Sequence, residues 1–220
     1  MKVVMAITGL FLIAFLLMHM FGNFKMLMGA EAFDHYSHYL REFLYPIFPK
    51  MVFLWLFRLA LIASVVLHIW SATQLTLRKR AAVGGGGRYV TKKSMEHSYA
   101  ARTMIWGGII IVLFLIMHIL QYTAQVLRIG YADTSQPLDS PYARVIAGFS
   151  VWWVVAVYAI AMLAVCMHLW HGFYSAFTTL GANVSAKARS VLKGCAYAVS
   201  ALMYVGFMIP PVLILFGVIK

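Results

Sequence analysis

Long apolar runs separated by short polar segments dominate this sequence. Five runs are long enough to cross a bilayer, which takes about 20 apolar residues in a helix. We place the predicted spans at about residues 3–28, 51–77, 101–127, 146–178 and 193–219. Apart from Arg58 in the second run, charged residues lie near the ends of the runs or between them. The pattern predicts an all-α integral membrane protein whose residues 1–220 form one domain.

Three shorter features refine this prediction. The stretch from Val145 to Ala186 is interpreted as one long helix that projects from the membrane, because its second half, "HGFYSAFTTLGANVSA", is too polar for a separate span. Pro210-Pro211 predicts a kink or an interruption in the fifth span. Between the first two runs, "EAFDHYSHYLREFL" has apolar residues at helical spacing, which predicts an amphipathic interfacial helix over about residues 31–44.

Composition supports a membrane protein. The chain is 63% hydrophobic and 11% charged, whereas soluble domains are about 45–50% apolar and about 25% charged. The net charge of +12 does not indicate nucleic-acid binding, because the basic residues lie in loops beside apolar spans. Cys166 and Cys195 lie within apolar runs and are interpreted as small buried hydrophobic residues.

The basic residues also predict an orientation. With five spans, one side of the membrane carries Lys2, Arg78, Lys79, Arg80, Arg88, Lys92, Lys93, Arg102, Lys187, Arg189 and Lys193. The other side carries only Lys25, Arg41, Lys50, Arg128, Arg144 and Lys220. Because cytoplasmic loops are enriched in Lys and Arg, we expect a cytoplasmic N-terminus.

Each of the first four spans contains one histidine well inside its apolar run. These are His19, His68, His118 and His168, separated by 49, 50 and 50 residues. A polar side chain in hydrocarbon is a candidate functional residue by default. The alternative for any single one is a structural hydrogen bond between helices.

Alternating helix directions sort these histidines by depth. His19 and His118 lie towards the predicted outer face and are called the outer pair. His68 and His168 lie towards the predicted cytoplasmic face and are called the inner pair. Two histidines at equal depth on different helices are what a bis-histidine haem requires. A zinc site is disfavoured, because ligands of one metal converge whereas these form two layers.

At these residues the chain resembles the membrane-anchor cytochrome b subunit of succinate dehydrogenases and fumarate reductases, in its five-helix, di-haem form. The resemblance is carried by "TGLFLIAFLLMHMFGNFKMLMGAEAFDHYSHYL", "HIWSATQLTLRKR", "ARTMIWGG…LIMHILQYT" and "MHLWHGFYSAFTTLG", in that order. It implies axial haem ligation by His19 with His118 and by His68 with His168. The family's His-Leu-x-x-Gly motif corresponds to residues 168–172, which favours His168 over His171 as the ligand.

The resemblance also implies a function and a set of partners. A flavoprotein and an iron–sulfur subunit on the cytoplasmic side would oxidise succinate or reduce fumarate. Two b haems in this chain would connect them to a membrane quinone, most commonly menaquinone. The implied location is the bacterial cytoplasmic (inner) membrane, with lipid around the bundle and no nucleic acid as partner.

Other polar residues are secondary candidates. On the predicted interfacial helix these are Glu31, His35, His38, Arg41 and Glu42, which could relay protons to a quinone. A solvated polar face is the alternative interpretation. Arg102, Thr8 and His171 lie towards the predicted inner face, where they could contact haem propionates.

Two other functions remain open from the sequence. The chain could be the cytochrome b anchor of a hydrogenase or a formate dehydrogenase, which also uses bis-histidine haems. It could instead be a haem-free channel or transporter whose histidines line a proton path.

Overall fold

A computed structural model describes residues 1–83, 99–132 and 138–220, without the side chains of residues 79, 80, 82, 83 and 99–103. The regular structure in these ranges is entirely helical. Its helices are α1 (Lys2–Phe24), α2 (Ala30–Glu42), α3 (Val52–Val83), α4 (Tyr99–His118), α5 (Pro141–Phe149), α6 (Trp152–Thr179) and α7 (Ala186–Leu215). A 3-10 turn at Lys25–Met28 extends α1, and a π-helical turn at Ile119–Thr123 extends α4.

Five helices within the described residues are long and apolar enough to cross a membrane. Their candidate spans are Lys2–Met28, Val52–Arg78, Met104–Thr123, Trp152–Thr179 and Ala186–Leu215. Large apolar side chains cover their outward faces; Trp106, for example, is 69% exposed and Ile160 is 68% exposed. A surface of this kind is stable only against lipid or another apolar partner. The chain therefore has the architecture of a multi-pass membrane protein.

Four of these helices form a ring that is closed on three sides. The close packing runs from α3 to α1, from α1 to α6 and from α6 to α4. Two pairs of helices therefore lie diagonally opposite each other: α1 lies opposite α4, and α3 lies opposite α6. The fifth helix, α7, packs outside the ring against α6 and α1.

The buried core centres on α6. One cluster joins α6 to α1 and α7 through Met20, Met162, Val165, Cys166, Leu169 and Met203. The other joins α6 to α5 and α7 through Tyr142, Phe149, Val154, Val155, Tyr158 and Ile214, with Met26. Because both clusters include several α6 side chains, the depth and rotation of α6 are fixed at two heights.

The fourth predicted span, 146–178, ends where α6 ends but begins earlier than α6, and the projecting helix expected beyond it does not form. Residues 141–149 form the separate helix α5, because the Ser140 hydroxyl accepts from Ala143 N at 3.1 Å and Pro141 occupies the first turn. Val151 is extended, so α6 begins only at Trp152. At the other end α6 stops at Thr179, and Gly181 follows with a φ of 91°. The single projecting helix predicted up to residue 186 is therefore two helices and a turn.

Two other predicted bounds also shift: the end of the third span, placed at 127, and the start of the fifth, placed at 193. The third span ends at Thr123 instead of 127, because the π-helical turn is followed by Gln125 with a φ of 55°. α7 begins at Ala186, capped by the Ser185 hydroxyl, and continues through Pro210 and Pro211 without interruption. The interfacial helix predicted at about 31–44 is α2.

Two short helices are joined at the end of the bundle where α1 ends. Asp34 on α2 accepts a hydrogen bond from Tyr142 N at 2.9 Å and another from the Ser140 hydroxyl at 2.5 Å. The carboxylate therefore satisfies a free N–H group at the start of α5. This link closes the bundle at that end.

Candidate haem sites

The structure brings the four intramembrane histidines together as two pairs. The ring centres of His19 and His118 are 5.9 Å apart, and those of His68 and His168 are 6.2 Å apart. All four rings are half-buried. These are the outer and inner pairs that the alternation of helix directions predicts.

Each pair spans a diagonal of the helix ring. His19 on α1 faces His118 on α4, and His68 on α3 faces His168 on α6. Neither α1 with α4 nor α3 with α6 is among the closely packed pairs of these four helices within the described residues, which are α3 with α1, α1 with α6 and α6 with α4. The imidazoles therefore approach each other between helices whose backbones stay apart.

The two pairs lie at different heights along the bundle. Gly9 on α1 is beside the inner pair, since a Cβ built on it would lie 3.2 Å from Cε1 of His68. Gly108 on α4 is also beside the inner pair, since a Cβ built on it would lie 4.0 Å from Cε1 of His168. Each glycine precedes the outer-pair histidine of its helix by ten residues, which is about 15 Å along a helix. The pairs therefore form two separate levels.

A hydrogen-bonded network surrounds His118. Its Nδ1 lies 3.2 Å from the hydroxyl of Tyr158, and this hydroxyl donates to Oε1 of Gln121 at 3.1 Å. Gln121 Nε2 donates in turn to the Tyr122 hydroxyl at 3.3 Å. Gln121 is 2% exposed and lies in the π-helical turn directly after His118. Turns of this kind occur often at functional sites.

The other three histidines have simpler surroundings. Nδ1 of His68 lies 3.2 Å from the hydroxyl of the buried Thr8, which also donates to the Val4 carbonyl at 2.7 Å. His19 stacks on Phe15 at 5.5 Å between ring centres and lies 5.7 Å from the Phe207 ring. Within the described residues, the buried Nδ1 of His168 has no hydrogen-bond partner.

The donor sets fit bis-histidine haem. Two imidazoles on opposite sides of one iron have ring centres about 6 Å apart, since each metal–nitrogen bond is about 2 Å and each nitrogen lies about 1 Å from its ring centre. Both observed separations agree with this. Within the described residues, no group of three or more histidine, cysteine or carboxylate side chains lies together.

The candidate propionate contacts lie in different surroundings. Thr8 contacts the His68 imidazole, so it lies where a hydrogen-bond partner of a histidine ligand would lie. His171 lies one turn beyond His168 on α6 and is half-buried. Arg102 is in the first turn of α4, and its side chain lies outside the described part of the structure.

The candidate residues on α2 form surface interactions. Glu31, His35, His38 and Arg41 are exposed. Glu42 pairs with Lys50 and lies 3.6 Å from His38, while Arg41 donates to the Ser37 hydroxyl at 3.0 Å. The hydrogen bond from Lys50 lowers the pKa of the Glu42 carboxyl. Within the described residues, none of these interactions connects α2 to either histidine pair.

Sequence reasoning missed four residues of the two levels: Gly9, Gly108, Gln121 and Tyr158. A signal for three of them was present. Gly9, Gly108 and Tyr158 each precede a histidine by ten residues, and each lies at the level of the other pair. Gln121 carried no such signal, because its contacts depend on the π-helical turn.

Comparison with models of protein families, with curated proteins and with solved structures gave no significant match. The chemistry open to the two histidine levels therefore follows from the side chains of this chain alone.

Proposed function

We propose that this chain is the membrane-anchor cytochrome b subunit of a succinate:quinone oxidoreductase, with two b haems. The arrangement of the histidines is the observation that supports haem binding. Two pairs, at two levels, span the two diagonals of one helix ring at the separation that a shared iron requires. Chance packing of four buried polar residues would have to reproduce all three properties together.

In this proposal the chain holds and insulates the two centres. His19 with His118 would hold one haem iron, and His68 with His168 would hold the other. Apolar side chains such as Phe15, Phe114 and Phe207 surround the outer pair and exclude water from it. Haem iron, when bound, supplies reversible one-electron transfer at each level.

In this proposal the two ends of the helix bundle have different functions. The inner pair lies towards the end where α3 and α6 finish, which carries most of the basic loop residues and is predicted to be cytoplasmic. A flavoprotein and an iron–sulfur subunit would dock there. The outer pair lies towards α2 and α5, where a membrane quinone, menaquinone by the resemblance, would exchange electrons and protons. Succinate as the substrate comes from the resemblance to the anchor family.

The haem part is tested by the visible spectrum of the purified full chain. A reduced-minus-oxidised spectrum is expected to show b-type absorption, and a haem assay is expected to give two haems per chain. His19→Ala and His68→Ala should each leave one haem, while His35→Ala, an exposed histidine on α2, should leave two. A chain without b-type absorption would refute the haem assignment and favour a haem-free channel or transporter.

The substrate part needs membranes that contain the whole complex. Succinate is expected to reduce the haems in such membranes, and an affinity-tagged chain is expected to bring down a flavin-bearing subunit. Hydrogen and formate serve as matched alternative reductants. Reduction by either of these, without reduction by succinate, would assign the chain to a hydrogenase or a formate dehydrogenase.

A further inference from the structure

With the Gln121 amide as the structure places it, the hydrogen bonds around His118 run in one direction. A tyrosine hydroxyl has one hydrogen to donate. Tyr158 donates its hydrogen to Oε1 of Gln121, so the same hydroxyl must act as the acceptor towards His118. Nδ1 of His118 therefore carries the ring hydrogen, and Nε2 of the neutral ring keeps its lone pair.

Gln121 could reverse this direction only if its amide turned over. An amide group has an oxygen that accepts and a nitrogen that donates. Its nitrogen is directed to the Tyr122 hydroxyl, which leaves its oxygen for Tyr158. Gly148 on α5 packs against this amide, since a Cβ there would lie 2.8 Å from Nε2. Gly148 on α5 and Tyr158 on α6 thus enclose the Gln121 amide.

We infer that Tyr158, oriented by Gln121, is a positioning residue that presets His118 as a ligand for the outer haem. A histidine that ligates a metal usually donates its other ring N–H to a neighbour, which fixes the tautomer and makes the ligand more basic. Here that neighbour is a tyrosine on the adjacent helix. The inference rests on the proposed function for the haem, but the tautomer itself does not.

The outer pair is therefore asymmetric. His118 is held by a hydrogen bond that is present without haem. His19 is held by aromatic rings, and the described part of the structure gives it no comparable hydrogen bond. His118 is thus the preset ligand, and His19 completes the coordination.

The tautomer can be measured without haem. Nitrogen NMR of the full chain, labelled with ¹⁵N-histidine and produced in haem-deficient cells, distinguishes a protonated Nδ1 from a protonated Nε2. His118→Ala assigns the signal. We expect Nδ1 to be protonated in the unaltered chain and the preference to be lost in Tyr158→Phe. Tyr142→Phe is the matched control, since it removes a different buried tyrosine hydroxyl bond, the one to the Lys220 carbonyl.

Haem binding gives the second measurement. Loss of such a supporting hydrogen bond typically weakens metal binding about 10- to 100-fold. Tyr158→Phe should weaken binding of the outer haem by this factor. The substitution should also raise the reduction potential of that haem, because a less basic ligand stabilises ferric iron less. Gln121→Met should act in the same direction by a smaller factor, and the inner haem should be unaffected by both.

The outcomes separate the two proposals. A protonated Nε2 on His118 in the unaltered chain, or a Tyr158→Phe spectrum identical to that of Tyr142→Phe, would overturn the inference and leave the haem proposal intact. A chain that has the expected tautomer but binds no haem would refute the proposed function instead.

Discussion

Gly9→Ala provides a sharp test of the inner level. The added Cβ would lie 3.2 Å from Cε1 of His68, whereas carbon atoms pack at about 3.5–4.0 Å. The ring must therefore move away from α1 by about 0.4 Å. Thr8 neighbours Gly9 on the same helix, so this movement also lengthens the 3.2 Å approach between its hydroxyl and Nδ1 of His68. The distance becomes about 3.6 Å, beyond hydrogen-bonding range.

The expected effect follows from the loss of that one bond. A hydrogen bond contributes about 0.5–1.5 kcal/mol net, so the inner haem should bind about 2- to 10-fold more weakly. Gly108→Ala is the matched control, because its Cβ would make an ordinary contact with His168 at 4.0 Å. Both substitutions add the same helix propensity, about 1 kcal/mol, which cancels in the comparison.

The assay is a haem titration of the apo-chain, with the inner haem identified by its absence in His68→Ala. The outer haem should be unchanged in both glycine variants. Equal weakening by Gly9→Ala and Gly108→Ala, or weakening confined to the outer haem, would refute the assignment of Gly9 to the inner level.

Three further predictions concern the ligands and the frame that holds them. His168→Ala is expected to remove the inner haem while His171→Ala keeps both haems, and a haem assay that gave the reverse would show that the ligand is misassigned. Asp34→Ala should destabilise the chain by about 3 kcal/mol or more, because each of its two hydrogen bonds at the start of α5 contributes about 1.5–3 kcal/mol. Thermal unfolding should place Asp34→Asn, which keeps one acceptor, between Asp34→Ala and the unaltered chain. Gly130→Ala should lower the unfolding temperature more than Gly29→Ala, since both have positive φ but only at Gly130 would a Cβ meet backbone, at the Ala147 carbonyl; equal losses would contradict this packing.

The sequence predicted the parts of the fold that depend on hydrophobicity and on direction. Apolar runs of sufficient length define the five candidate spans, and alternation of helix direction is enough to place His19 at the depth of His118 and His68 at the depth of His168. Neither inference needs side-chain detail. The diagonal arrangement, in contrast, depends on which helices pack together, and composition carries little information about this when every helix is apolar on all sides.

Local geometry accounts for what the sequence prediction missed. The uncharged stretch after His118 continues to Leu127, so its length gives no sign of the π-helical turn or of the positive φ of Gln125. α5 did have a signal, the Ser140-Pro141 pair typical of a helix start, but its nine residues continue an apolar stretch that resembles the following span. The role of Tyr158 became visible only when the rotation of α6 was known.

The repeated interval of ten residues between the two levels has a consequence for how these helices can change in length. Gly9 and His19 on α1, Gly108 and His118 on α4, and Tyr158 and His168 on α6 each mark the same two heights. One residue inserted within any of these intervals would turn its ends by about 100° relative to each other and separate them by a further 1.5 Å or so. One of the two marked residues would then leave the inside of the ring. Insertions and deletions in α1, α4 and α6 are therefore expected to be tolerated beyond the two levels and rejected between them, unless all three helices change together.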